Sequence, residues 1–445
     1  MTMRLWSKLF CAATMLLLPW QAAAVEVQEV QTNGITAWLV EDYSVPVVSV
    51  MVAFRDAGSA SDTEDTQGRA AMVAGLLDEG AGELSAKAYQ QQLDSHAIDV
   101  SFDVSDDLLS ASTYSLADKS EEAFRLLGLA LTDPRFDEAA LTRVKNQMIS
   151  LQQILQQKPD YVAAQKWRQL AYPEHPYRFA RYGTQQTVEA LTREQLTAFQ
   201  SRYLSKRNMI IGVSGAISAQ QLKQYMQAYF DTLPEAFLPE KRIMPTEMAA
   251  GPIAQHVEKE SAQTSVLLGM PSVPRDHPDF YAVYLLNQAI GGGGLTSLLS
   301  QAVREDEGLT YGIYSRLDVD LHSSSWRGAF STRPENADKA IALVRKTLLA
   351  VKQKGIDAQT FNDVKAYVTG SFPLNLDSTG GIAGYLVSMQ LYALGQDYLQ
   401  KRNSYFEAVT VQDVNRVADY LLQHIDNSVL VTAGPTSAEE GVTQP

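Results

Sequence analysis

The sequence predicts an α+β protein built from two copies of one α/β domain, each a mainly antiparallel sheet covered by helices. Three observations predict this. Segments about 219 residues apart share a pattern, runs of β-branched and aliphatic residues of strand length open each copy, and stretches with apolar residues every three or four positions follow them.

The repeat is read directly. "FDEAALTRVKNQMISL" from Phe136 is echoed by "IDAQTFNDVKAYVTGS" from Ile356, with Val144-Lys145 on Val364-Lys365. Further on, Asn208 falls on Asn427 and Gly215 on Gly434. The copies span residues 25–234 and 251–434. Residues 235–250, with two prolines, mixed charge and no sustained period, read as a linker, and 435–445 as a tail.

Within copy one, "VVSVMVAF" (47–54) reads as a strand. "GRAAMVAGLLDEG" (68–80) reads as a helix stopped by Gly80 and Gly82, and "SFDVSDDLLSASTYS" alternates like a strand pair. "KSEEAFRLLGLALTD" has the helical period, and "MIIGVSG" closes the copy as a strand. Copy two repeats the order with the strand "SVLLGMP", the alternating "LHSSSWRGAFSTRP" and the helix "NADKAIALVRKTLLAVKQKG".

The 445 residues, 45% hydrophobic and 20% charged, are enough for two globular domains. A formal charge of −14 excludes a surface built to displace counterions from nucleic-acid phosphates. Residues 1–24 read as a secretory signal peptide: Arg4 and Lys8 precede the apolar run "LFCAATMLLLPW", and "QAAA" offers a cleavage site after Ala24. A retained anchor is the competing reading, but the apolar run is short for a span. The lone cysteine, Cys11, lies inside that run without a lipobox, so the mature chain forms no disulfide. The expectation is an exported protein of a Gram-negative periplasm, with no membrane span after signal cleavage.

Reactive clusters are scarce. His96, His175, His256, His277, His322 and His424 have no pair three to five apart and read as surface or loop residues, with His175 part of a loop scaffold. The acidic pairs Asp106-Asp107 and Asp78-Glu79 read as solvated turns. No G-x-S-x-G nucleophile motif occurs. Gly291 to Gly294 form a run of four glycines between two helices, the second from near Thr296 to Arg304. With no Lys-Ser/Thr after it, the run is not a P-loop but a flexible or closely approached backbone. After it "EDEG" turns, and "LTYGIYS" reads as a strand with Leu309, Tyr311 and Ile313 on one face.

The two-copy arrangement resembles the pitrilysin/insulinase family of zinc metallopeptidases, the inverzincins, which includes the mitochondrial processing peptidase. Active members carry H-x-x-E-H on a helix after the first strand, in the form G-L-A-H-L-L-E-H, and a further Glu roughly 75 residues on. The matching segment here runs Gly68 to Gly75. Ala71 and Gly75 stand at the two His positions and Ala74 at the general base. Residues 144–159 hold no acidic residue, and Gln152 or Gln153 is the nearest stand-in for the third ligand. An uncharged amide is a poor zinc ligand, so the resemblance implies no metal on this chain.

The resemblance also assigns roles in copy two. It implies substrate handling by Gly291, Gly292, Gly293 and Gly294. It further implies that Arg304 and Tyr311, seven apart, reach across to a zinc centre and donate hydrogen bonds to the scissile carbonyl as it gains charge. The bland reading of the pair is a helix C-terminus neutralised by Arg304 and a sheet face filled by Tyr311. Together these imply a peptidase subunit without its own zinc, inactive alone, working on peptide substrates with a homologous H-x-x-E-H partner that holds Zn, in a heterodimer or larger assembly. The alternative is a non-catalytic structural or peptide-binding protein on the same fold.

Overall fold

A computed structural model describes residues 26–249 and 251–436. The signal-peptide segment and residues 437–445 of the tail lie outside the described residues.

The first half runs β1 (Gln28–Thr32), β2 (Ile35–Glu41), β3 (Val47–Arg55), α1 (Arg69–Ala74), the short pair β4 (Gly80–Ala81) and β5 (Leu84–Ser85), α2 (Ala86–His96), β6 (Asp99–Val104) and β7 (Leu108–Leu116). It continues with α3 (Ser120–Thr132), α4 (Glu138–Gln156), α5 (Pro159–Ala171), α6 (Gln185–Ala190), α7 (Arg193–Tyr203), β8 (Met209–Gly215) and α8 (Ala219–Tyr229). The second half runs β9 (Ile253–Glu258), β10 (Thr264–Pro271), α9 (Phe280–Asn287), β11 (Ile313–Val319), β12 (Ser324–Thr332), α10 (Ala337–Lys354), α11 (Ala358–Gly370), α12 (Thr379–Leu391), α13 (Tyr398–Glu407), α14 (Val411–Leu422) and β13 (Val429–Gly434).

The α+β expectation holds. One sheet has the order β1-β2-β8-β3-β7-β6 and the other β11-β12-β10-β13-β9, mainly antiparallel, with β2·β8 and β13·β9 parallel. The runs at 47–54 and 265–271 are the central strands β3 and β10. Each is hydrogen-bonded on both sides and covered on both faces of its sheet, and the two-faced burial is why each reads as a continuous apolar run rather than an alternating one. One apolar face of each sheet packs on its own half's helices, giving two cores, one around Phe54, Phe124 and Phe199, the other around Trp326, Leu348 and Phe406.

The opposite face of each sheet is covered by a helix of the other half. α5 lies on β10 and β13, burying Trp167 against Gly269, and the indole Nε1 donates to the Val429 carbonyl at 3.2 Å. Its counterpart in the repeat, α12, lies on β3 and β8, where Gln390 Nε2 donates to the Ile211 carbonyl at 2.8 Å and Gly212 admits the backbone of Ala383. Glycine is required at both 212 and 269, because a Cβ there would sit 2.2 Å from the Ala383 carbonyl oxygen or the Trp167 ring. The halves are therefore joined by two exchanged helices.

The linker reading needs one correction. Ile243 and Met248 are buried in the apolar cluster with Trp167, and Glu240 receives Arg69 at 3.0 Å. This segment is held by packing and an ion pair rather than spanning freely.

Candidate functional site

α1 is shorter than its sequence predicts. It starts after Gly68, whose φ of 89° lies in the left-handed region, and stops at Ala74, with Gly75 as C-cap. Arg69 is buried, stacks 5.3 Å from Phe199 and pairs with Asp62 and Glu240. Asp62 in turn accepts from the backbone of Gly68 and Ala70, so the helix start is fixed by a buried carboxylate.

At the family's zinc positions the side chains offer no donor set. Ala71 and Ala74 are buried methyls, and Gly75 is exposed but bare. Gln152 is buried and spends its Nε2 on the Tyr182 carbonyl. The adjoining 182–183 backbone lies within about 3 Å of where a Gly68 side chain would begin. These residues do not fit a zinc ion, whose ligands are thiolate, imidazole or carboxylate. Among the described residues, no group of three or more His, Cys, Asp and Glu is placed to hold a metal.

In the second half, α9 runs into a π-helical turn at Gln288–Gly292. Gly291 is buried, and a Cβ there would lie 2.6 Å from Ser315 Oγ, whose hydroxyl donates to Asn287 at 2.7 Å. Gly291 is thus a close-approach glycine against β11. Gly292 is exposed and Gly293 half-buried, while Gly294 is exposed with φ 66° and leads to Leu295, 64% exposed. After a 3-10 turn at Gly294–Thr296, the next helix covers 298–306, π-helical over Ser300–Asp306; it starts close to the expected position near Thr296 and runs two residues past Arg304, so Glu305 and Asp306 are helical and the turn comes at Glu307-Gly308.

Arg304 sits in the last turn of that segment, one-third exposed, with its guanidinium 3.4 Å from Glu305. Tyr311 does not share a face with Leu309 and Ile313, as strand alternation predicts. Those two are buried, whereas Tyr311 is 87% exposed. β11 begins only at Ile313. Before it, Thr310 Oγ1 donates to the Ser331 carbonyl at 2.7 Å and accepts from Gly312 N–H at 3.2 Å, a local turn that throws the Tyr311 ring outward. The ring lines a cavity of about 500 Å³ between the end of α4, the start of α5 and the second sheet, along with Tyr161, Tyr314, Arg316 and Phe330. Arg304 is not in its lining, and no hydrogen bond or ion pair joins Arg304 to Tyr311 among the described residues.

Sequence reasoning missed a buried polar cluster where the halves meet. Asp106 and Asp107 are buried, not solvated. Arg168 donates to Asp106 at 2.7 Å; despite the opposing effect of burial, Arg168 and Arg181 hold that carboxyl below its usual range. Asp107 accepts from the Tyr177 hydroxyl at 2.6 Å and from Leu321 N–H at 2.7 Å. His322 reaches Asp56, and His175 is buried with Nε2 3.1 Å from the Met244 carbonyl. Burial, then repulsion by His322, lowers the His175 pKa to about 4, so its ring is neutral at pH 7.

Residues 190–368 match the model of the Peptidase M16 inactive domain. A crystal structure of a peptidase M16 inactive domain from Pseudomonas fluorescens superposes with a TM-score of 0.86 at 29% identity, covering 93% of this chain and 98% of that one. The chain is thus similar to the M16 family along most of its length. This is the pitrilysin/insulinase family that the residues around α1 resemble, and the likeness is to its inactive, zinc-less type. The Helicobacter pylori protein named non-peptidase homolog YmxG is 25% identical over 415 residues, 93% of this chain and 94% of its own. The periplasmic protease PqqL of Escherichia coli shares the M16 fold at a TM-score of 0.78 and 18% identity; this chain covers 45% of its length. No helix among the described residues is long and apolar enough to cross a membrane.

Proposed function

We propose that this chain is the zinc-less subunit of a two-chain periplasmic peptidase. A partner of the same fold carrying H-x-x-E-H would supply the metal and the general base, which activate water for attack. This chain would close over that centre and hold the peptide, partly by pairing it with a sheet edge.

One observation carries the reading: Tyr311 is held out into a cavity with its phenol unbonded among the described residues, by a turn that buries Leu309, Thr310 and Ile313 around it. A phenol so placed can donate to a carbonyl oxygen that gains negative charge, and a guanidinium can do the same. The Arg304 ion pair with its exposed neighbour Glu305 is worth little, so exchanging it for substrate costs little. Exposed Gly292 and Gly294 give substrate handling an accessible backbone, whereas Gly291 is committed to β11.

The test is turnover of a quenched peptide by the assembled pair. Arg304→Ala and Tyr311→Phe should each slow it by roughly 10²–10³-fold, the scale of losing one transition-state donor. Unchanged turnover in both would leave the second reading, a non-catalytic peptide-binding protein, which the name of the Helicobacter pylori relative favours.

A further inference from the structure

A second cavity, of about 730 Å³, opens in the first half between α4, α5 and the 173–185 loop. Its size is that of a small-molecule site. Tyr311 and the glycine run take no part in it, and eight of its sixteen lining residues are glutamines. Gln152, Gln153 and Gln156 project from one face of α4, and Gln165 and Gln169 from α5, one turn apart.

Five of the eight amides are used by the fold: Gln152 donates to the Tyr182 carbonyl, Gln165 to the Arg178 carbonyl at 2.9 Å, Gln67 to the Glu64 carbonyl at 3.1 Å and Gln185 to Glu189 at 2.8 Å, while Gln157 accepts from Lys259 at 3.3 Å. Gln153, Gln156 and Gln169 are exposed and make no side-chain hydrogen bond among the described residues. The two charged lining residues, Glu64 and Arg178, face each other at 3.3 Å and cancel. Ile149, Pro173 and Phe179 supply apolar surface.

This chemistry is selective. A carboxamide both donates and accepts and carries no charge. An ionic ligand would find no counter-charge, and an apolar one would strip water from the amides without replacing their hydrogen bonds. A peptide cannot add here as a strand, because the main walls are helices whose backbone is satisfied internally. Hydroxyl groups also donate and accept, and the C–H face of a sugar ring can lie on Phe179 and Ile149. We propose that this cavity binds a neutral, hydroxyl-rich ligand, an uncharged oligosaccharide. The proposal is independent of the peptidase reading.

The test is calorimetric titration of the purified chain with maltotriose, with tri-N-acetylchitotriose and with a neutral tripeptide. At least one trisaccharide should bind saturably. A Gln153→Ala/Gln156→Ala/Gln169→Ala variant should bind it roughly tenfold or more weakly, the effect of losing one or two net hydrogen bonds, with an unchanged melting midpoint because these amides hold nothing in the fold. Absence of saturation by either sugar up to about 10 mM, a range that reaches weak millimolar binding, would overturn the proposal. So would sugar binding that survives the triple variant, or saturable binding of the tripeptide alone.

Discussion

His322 Nε2 lies 2.7 Å from Asp56 Oδ1, tying the β11–β12 turn of the second half to the end of β3 in the first. The same turn is gripped by Leu321 N–H on Asp107 and by His322 N–H on the Tyr177 hydroxyl at 3.1 Å. Half-to-half closure therefore rests on a few buried polar contacts as well as the two exchanged helices.

That arrangement makes stability depend on pH. Burial works against a charged His322, but the Asp56 hydrogen bond and the charges of Asp56, Asp107 and Asp320 outweigh it, so its pKa is raised. Its contribution is complete below the unfolded value of about 6.5 and fades as pH rises through the raised one. Asp320 acts in the same direction: burial, then Asp107, Asp106 and Asp318, push it from 3.8 up to about 7, so its contribution is complete below 3.8 and is lost as pH rises from there to about 7. His175 opposes both, because a ring held down to about 4 loses stability for the fold as pH falls from about 6.5 toward 4. Between about pH 4 and 6.5 the Asp320 and His175 contributions oppose each other, so urea midpoints should change little there and fall as pH rises above about 6.5, where His322 loses its proton. His322→Gln should flatten the alkaline limb, and a profile superimposable on the parent's would contradict this account.

The helix exchange predicts that Gly212 and Gly269 tolerate no side chain. Gly269→Ala and Gly212→Ala should each cost about 1–3 kcal/mol through overpacking, because the added carbon would meet the Trp167 ring or the Ala383 backbone at 2.2 Å. Thermal melts check this. Unchanged midpoints would mean that α5 and α12 do not lie on these strands as described.

Gln152→Glu would restore a carboxylate where active M16 members hold a ligand, yet it should destabilise this chain. Gln152 is a donor to the Tyr182 carbonyl, and a carboxylate there would face an acceptor without a proton. A loss of about 1–3 kcal/mol is expected in denaturant melts at neutral pH, recovered as pH falls toward about 4.3, because the buried acid protonates above its free value. Equal stability at neutral pH would show that the Tyr182 bond is dispensable.

The duplicated fold was legible because a helix or strand announces its apolar period locally. The exchange of α5 and α12 was not, since periodicity shows that a helix has an apolar face but not which sheet it covers. Asp106 and Asp107 look like any polar turn because their partners Arg168, Tyr177 and Leu321 lie far along the chain. Tyr311 was grouped on one face with Leu309 and Ile313 because alternation presumes a strand, and Gly308, Thr310 and Gly312 delay that strand until Ile313. The signal that could have located it was the pair of glycines flanking Leu309 to Tyr311.

The most direct measurement is to recover the tagged chain under native conditions from its own host, identify co-purifying chains, and assay a quenched peptide with and without a zinc chelator. The account predicts a second M16 chain bearing H-x-x-E-H, zinc bound to that chain, and cleavage that the chelator abolishes. A solitary, inactive chain, or zinc bound stoichiometrically to this chain itself, would contradict it.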